Sequence, residues 1–242
     1  MATKSKSRTV APAAAKPYFR PEALTFLRNL AKHNDRAWFQ PRKEIFETNL
    51  KQPMLEFVEE INAELLKFAP EHITEPKKAV YRIYRDTRFS KDKTPYKTHL
   101  AAIFPRRGLG KDAAAGFYFH VSSKHVGVAC GAYGPGPEQL LKIRRFIAEN
   151  HKLSKREIKG MGSLKGTTLT RVPKGFDCGH PAVDLIKMKQ WYWWVELDLA
   201  LATSPKLKSE IAKRFRAMAP MVELLNRPLL KNTKSIVAAD EP

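Results

Sequence analysis

The spacing of apolar residues changes once along this chain, near Val80, and this change constrains the fold more than any other feature. Before it, apolar side chains recur every three to four residues, as in Phe26, Leu27 and Leu30, which predicts amphipathic helices. From Val80 onward the period becomes two, which predicts β-strands. We therefore expect a helical N-terminal third followed by a β-sheet.

Later segments complete this pattern. Two apolar runs, residues 117–121 and 126–130, flank a short polar turn and predict an antiparallel hairpin. The aromatic run at 191–199 predicts a late strand, and Pro205 is expected to begin a long terminal helix. The order of these elements predicts an α+β fold with a central, mainly antiparallel sheet and helices at the C-terminal end.

The two ends of the chain differ from its middle. Residues 1–17 carry four cations and no acidic residue, with few bulky apolar side chains, so we predict a disordered basic tail. A mitochondrial transit peptide has a similar composition and remains the alternative. We predict a single α+β domain over residues 18–230 and a flexible C-terminal tail over residues 231–242.

Charge and cysteine content limit the classes of partner and location. The chain has 44 Lys and Arg against 24 Asp and Glu, a formal net charge of +20, and such a field attracts nucleic acid, acidic lipid surfaces or anionic metabolites. No apolar window approaches the ~18 residues of a membrane span, and no secretory signal begins the sequence, so we expect no membrane partner. Cys130 and Cys178 form no metal or redox spacing, which favours a reducing cytoplasm.

The densest chemical feature is residues 81–97, with the sequence Y-R-I-Y-R-D-T-R-F-S-K-D-K-T-P-Y-K. It holds six cations, two carboxylates and four aromatic rings. Two carboxylates neutralise at most two cations, so the surplus predicts an anionic ligand, either a phosphate-bearing molecule or nucleic acid. The predicted ligand-binding residues are Arg82, Arg85, Asp86, Arg88, Asp92, Lys93, Tyr96 and Lys97.

Two other interpretations of this motif stay open. Arg–Asp pairs also fasten irregular loops to a sheet, which would make the motif a structural clamp or part of a protein-binding surface. Alternatively, the protein is an enzyme acting on a phosphorylated or carboxylated small molecule, with Asp86, Asp92 or His180 as candidates for proton transfer. We expect no metal and no cofactor, since too few carboxylates converge for a metal and no cofactor-binding motif is found. Oligomeric state is left open.

The motif also carries a resemblance. The pattern R-x-x-R-D-x-R-F-S-x-D-K-x-P-Y-K resembles the signature of a mostly bacterial family catalogued as domain of unknown function 2461. The similarity extends to segments 34–39, 133–137 and 171–177, to His180-Pro181 and to Asp184-Leu185, and so covers about residues 18–228. The family has no assigned activity, so the resemblance implies a shared fold and a site near the motif but no catalytic role.

Overall fold

The structure is a computed structural model that describes residues 17–110, 114–159, 161 and 163–230. The predicted tails at 1–17 and 231–242 lie outside these ranges, apart from Pro17. Within them, helices come first, a five-stranded antiparallel sheet follows and a long helix comes last, so the predicted α+β class is confirmed.

Helices form the N-terminal part, as predicted. Helix α1, Pro21–Lys32, begins at a proline and buries Phe26, Leu27 and Leu30. The carboxylate of Asp35 accepts a hydrogen bond of 2.8 Å from the backbone N–H of Trp38 and thereby caps the next helix. The chain then stays helical to Leu65 through α2 (Arg36–Phe39), a 3-10 turn (Gln40–Arg42), α3 (Lys43–Phe46), a π-helical turn (Glu47–Lys51) and α4 (Gln52–Leu65).

The sheet contains the predicted hairpin and the predicted late strand. Its strands pair in the order β1-β2-β3-β5-β4, and every pairing is antiparallel. The strands are β1 (His99–Pro105), β2 (Gly116–Ser122), β3 (Val126–Ala132), β4 (Ser163–Lys165) and β5 (Trp191–Leu197). Because side chains alternate along each strand, one face of the sheet carries the core.

Helices pack on that core face. Helix α4 lies against β1, and the terminal helix α9, Leu207–Asn226, lies against β2 and β3, where alternating apolar residues such as Phe117 and Val128 are buried. The end of α9 is tied to the sheet by Asn226, whose buried amide donates to the carbonyl of Ala115 at 2.9 Å and accepts from its N–H at 2.8 Å. The opposite face, which we call the open face, points away from α4 and α9.

Short elements complete the described ranges. Helix α6, Pro137–Glu149, follows the Gly- and Pro-rich segment 131–136. The others are α5 (Pro76–Ala79), α7 (His151–Ile158), α8 (Val183–Ile186) and the 3-10 segments Pro70–His72, Leu199–Thr203 and Arg227–Leu229. None of the helices in these ranges combines the length and apolar character that a bilayer crossing requires.

The segment from Val80 to Tyr84 differs from a full strand. It runs beside β1 but makes only isolated bridges, Val80 with Ala102 and Tyr84 with Tyr96. Backbone hydrogen bonds from Tyr81 to Ala101 and from Lys97 to Ile83 complete the contact. We call residues 80–97 the edge arm, since they extend the β1 side of the sheet.

Candidate functional site

The open face is lined mainly by small, aromatic and histidine side chains. A solvated face of an antiparallel sheet usually carries polar residues in alternation with the core. Here the corresponding positions of β2 are Gly116, Tyr118 and His120, and those of β5 are Tyr192, Trp194 and Glu196, of which Glu196 alone is charged. This face therefore differs from an ordinary solvated surface.

Glycine and alanine residues make its floor concave. Gly116 and Gly131 pair across β2 and β3, and a Cβ on either would approach a backbone oxygen to 2.7 Å (Phe104) or 1.9 Å (Trp191). Ala101 and Ala129 continue the floor on the flanking positions. The result is a cleft of about 620 Å³, here called the open-face cleft.

Aromatic rings form the walls of the open-face cleft. The ring of Tyr118 lies 6.5 Å from that of Tyr81 and 6.2 Å from that of Trp194, measured between centroids. Tyr133 and Tyr192 form a second pair at 5.3 Å near the Gly116–Gly131 end. Rings at these separations present flat apolar surfaces on which a planar ligand can stack.

Three charged side chains border the open-face cleft. Lys97 lies with its ammonium 5.0 Å from the centre of the Tyr81 ring, and Lys165 stands on β4. Glu196 accepts a hydrogen bond of 3.1 Å from the indole N–H of Trp194 and so orients that ring. Among the residues that the structure describes, the lining thus carries two cations and one carboxylate.

Three histidines cluster beside the cleft. The ring of His120 lies 5.0 Å from His99 and 5.1 Å from His125. The His120 ring fits here because its cross-strand partner on β3 is Gly127, which has no side chain. A Cβ at that position would lie 2.5 Å from the imidazole. Burial, with smaller contributions from His99 and His125, lowers the pKa of His120 to about 3, so this ring is neutral at pH 7. Burial also lowers the pKa of His99 and raises that of Tyr118.

Four of the eight charged side chains of the edge arm form ion pairs with one another. Arg85 donates to Asp92 at 2.5 Å and also contacts Thr94, while Arg88 forms a two-pronged contact with Asp86 at 2.8 and 3.0 Å. The hydrogen bonds from Arg88 lower the pKa of Asp86 to about 2. Those from Thr94 and Arg85 lower the pKa of Asp92 to about 2. Both carboxylates are thus strongly ionised and poor bases at neutral pH.

The other predicted binding residues occupy varied places. Lys93 donates to the carbonyl of Thr87 at 2.9 Å, and Lys97 donates to the carbonyl of Arg82 at 3.0 Å. Arg82 is exposed beside Asp86, whereas Tyr96 is buried and stacks on Phe39 at 4.2 Å. Of the eight, Lys97 alone lines the open-face cleft, so the structure does not gather the eight predicted residues around one cavity.

Two segments that carry the family resemblance meet at the base of the edge arm. The amide of Asn34 donates to the carbonyl of Tyr96 at 2.9 Å and accepts from its N–H at 3.0 Å. The N-terminal helices thereby hold the end of the arm next to Lys97. This contact explains structurally why the motif is set at a defined position beside β1.

His180 lies away from both features. Its ring Nδ1 accepts a hydrogen bond of 3.0 Å from the N–H of Ala182, and its ring meets that of His151 edge-on at 5.4 Å. It belongs to the turn that precedes α8 and is not part of the lining of the open-face cleft.

The site residues predicted from the sequence did not include His99, Tyr118, His120, His125 or Trp194. A signal for part of the group exists: Tyr118 and His120 are two apart on a strand, so they share a face, and His120 faces His125 across a short turn. Among the described residues, no group of three or more His, Cys, Asp or Glu side chains has an arrangement that holds a metal ion.

Comparison with known proteins identifies a family but no activity. A family model described as "Conserved hypothetical protein (DUF2461)" matches residues 22–224. No curated protein and no solved structure matches the chain. The matched range spans the N-terminal helices, the edge arm, the whole sheet and most of α9. The chain therefore belongs to the DUF2461 family of conserved hypothetical proteins.

Proposed function

We propose that this protein binds a small molecule with a planar ring and one acidic group in the open-face cleft. The observation that carries the proposal is the wall of aromatic rings around a floor of Gly and Ala. Small-molecule sites are typically concave, of a few hundred to about 1,000 Å³, and mainly apolar with a few polar groups. The open-face cleft, at about 620 Å³, has this size and this composition.

The rim cations favour an anionic ligand. Lys165 at the rim can form a charge-assisted hydrogen bond with a carboxylate or phosphate on the ligand, and Lys97 lines the same cleft. Lys97 is also the last residue of the charged motif, which links the anion predicted from the sequence to this cleft. The Arg–Asp pairs of the edge arm support this role indirectly, because they stiffen the segment on which Lys97 sits.

A matched pair of variants tests the proposal. We expect 1-naphthoate and 1-naphthyl phosphate to bind more tightly than uncharged 1-naphthylmethanol. The Lys165→Gln variant should bind the two anions about tenfold more weakly, since a charge-assisted hydrogen bond contributes roughly 1.5–3 kcal/mol. Lys213→Gln, on the exposed side of α9 beyond the core face, serves as control. Isothermal titration calorimetry gives the affinities. Equal affinities for the two variants would contradict the proposal.

Nucleic acid is a second candidate, favoured by a separate observation. Phe89 at the tip of the edge arm is 95% exposed, and the Arg88 guanidinium lies 5.7 Å from its ring centre. An exposed ring beside a cation is a platform for stacking a base, and the net charge of +20 would attract the phosphate backbone.

Salt dependence distinguishes this second candidate. We expect a single-stranded oligothymidylate to bind with an affinity that falls steeply as the salt concentration rises. The Phe89→Ala variant should bind it several-fold more weakly, since stacking on an aromatic side chain contributes about 1–3 kcal/mol per base. Fluorescence anisotropy at several salt concentrations measures both effects. A log–log slope near zero, or an unaffected Phe89→Ala variant, would remove nucleic acid from consideration at this site.

A further inference from the structure

A hydrogen-bonded chain of three side chains leads from the open-face cleft to the β2–β3 turn. The hydroxyl of Tyr118, which lines the cleft, lies 3.2 Å from Nδ1 of His120. Nε2 of His120 lies 3.1 Å from Nε2 of His125, which is in the turn between the two strands. His120 therefore uses both of its ring nitrogens, one toward the cleft and one toward the turn.

A neutral imidazole at this position must donate one of its two hydrogen bonds and accept the other. It carries one N–H and one lone pair, so it donates to one neighbour and accepts from the other. In one arrangement Tyr118 donates to His120, and His120 donates to His125. In the other, His125 donates to His120, His120 donates to the Tyr118 oxygen, and the Tyr118 proton points away from His120. Exchange between the two arrangements moves a proton along the chain.

The surroundings hold His120 in place, and among the described residues its ring nitrogens form hydrogen bonds with Tyr118 and His125 and with no carboxylate. Its ring is 6% exposed and lies between Gly127, His99 and Trp194, with the ring centre of Trp194 at 5.2 Å. The titratable groups that face it are His99 from β1, Tyr118 from its own strand, His125 from the turn and Glu196, which occupies the same cross-strand row on β5 beyond Gly127. Lys97 lies near His99. An imidazole surrounded in this way passes a proton on and does not retain it.

We propose that Tyr118 is a general acid for a molecule bound in the open-face cleft, and that His120 and His125 resupply its proton. This inference rests on the proposed function, because it needs a ligand in the cleft. The Tyr118 hydroxyl gives its proton to a basic oxygen or nitrogen of the ligand. In the same step, the oxygen of Tyr118 takes a proton from Nδ1 of His120. Nε2 of His120 takes one from Nε2 of a doubly protonated His125.

The proton balance is complete in this step. His125 loses one proton and becomes neutral, the ligand gains one, and Tyr118 and His120 end neutral as they began. Burial, which raises the pKa of Tyr118, makes a free phenolate costly. Resupply in the same step avoids that species. Tyr118 is then the catalytic residue, and His120 and His125 are positioning residues that also carry the proton.

The relay is tested without any ligand by ¹⁵N NMR of histidine-labelled protein. We expect a neutral His120 at pH 6 with one ring N–H. In the His125→Gln variant this N–H should exchange with water at least about tenfold more slowly than in wild type, because the route of the proton to solvent is cut. Gly127→Ala displaces the His120 ring while keeping every relay group and should slow exchange as well. A doubly protonated His120 at pH 6, or unchanged exchange in His125→Gln, overturns the relay.

Phenylpyruvate tests the acid role, since it has a planar ring, a carboxylate and a carbonyl oxygen that gains a proton on enolisation, while the buffer base takes the proton that leaves the methylene carbon. We expect enol formation, followed by ultraviolet absorbance, to be accelerated about 10²-fold or more, the lower end of general acid catalysis. Tyr118→Phe should abolish the acceleration, and His125→Gln should reduce it and shift its pH profile. Binding without acceleration overturns the acid role. If phenylpyruvate does not shift the Trp194 indole N–H signal of uniformly ¹⁵N-labelled protein, the proposed function fails for this probe and the exchange measurement alone decides the relay.

Discussion

Lowering the pH from 7 to 4.5 should reduce the free energy of unfolding by several kcal/mol. Burial is the main reason that the pKa values of His72, His99 and His120 are below the ordinary value in the folded protein. As the pH falls below about 6.5, the unfolded chain takes up protons at these sites and the folded chain does not, so the unfolded state gains stability. For His120 this window extends down to its folded pKa of about 3.

A variant isolates the contribution of His120 to this pH-dependent loss of stability. His120→Gln removes its titration, and the loss of stability between pH 7 and 4.5 should become smaller by about 2–3 kcal/mol, from ~2 pH units at 1.36 kcal/mol each. Urea unfolding at the two pH values measures the difference. The same loss in wild type and variant would mean that His120 is not held neutral. Below about pH 4, protonation of Asp86 and Asp92 should weaken the edge arm further, since their folded pKa values of about 2 are lowered.

Replacing Gly131 with Ala should destabilise the fold by about 3 kcal/mol or more, which is unusual for the addition of one methyl group. Gly131 has φ +130°, and a Cβ would lie 1.9 Å from the Trp191 carbonyl oxygen and 2.7 Å from the Cα of Tyr192. Strands β3 and β5 would have to separate at the floor of the open-face cleft.

Gly175→Ala is the matched control. Gly175 also has a positive φ of +88°, but no atom lies within 4 Å of the position that its Cβ would take. The Gly175→Ala substitution should lower the free energy of unfolding only by the backbone strain, about 1–2 kcal/mol. Denaturant midpoints at pH 7 give both values. A similar loss of stability in the two variants would show that close packing of β3 on β5 does not require glycine at position 131.

The fold was predictable where periodicity was long and unbroken. Phe26, Leu27 and Leu30 lie in α1 and Leu100, Ala102 and Phe104 on the core face of the sheet, as their spacing indicated. Strand β4 was missed because a three-residue strand is too short to show a period. Within the helical stretch that ends at Leu65, a π-helical turn lies just before Pro53, whose missing N–H interrupts the regular hydrogen bonds without ending the helix.

The candidate site was predicted only in part, for a different reason. The charged motif was visible as composition, but the pairing of Arg85 with Asp92 and of Lys97 with a carbonyl depends on the path of the edge arm. The open-face cleft combines positions from all five strands of the sheet and the arm, including Lys97, Tyr118 and Trp194. These residues are far apart in sequence, and only the strand order brings them together.

The central claim is that the open face of the sheet binds a planar, acidic molecule, and a crystal structure of the protein with 1-naphthyl phosphate tests it most directly. The account predicts that the naphthyl ring lies against Tyr118 and Trp194 over the Ala129 floor, with the phosphate near Lys97 or Lys165. Well-defined density for the ligand at the Arg85–Asp92 loop or on the helical layer, with the open-face cleft containing only water, would contradict the claim.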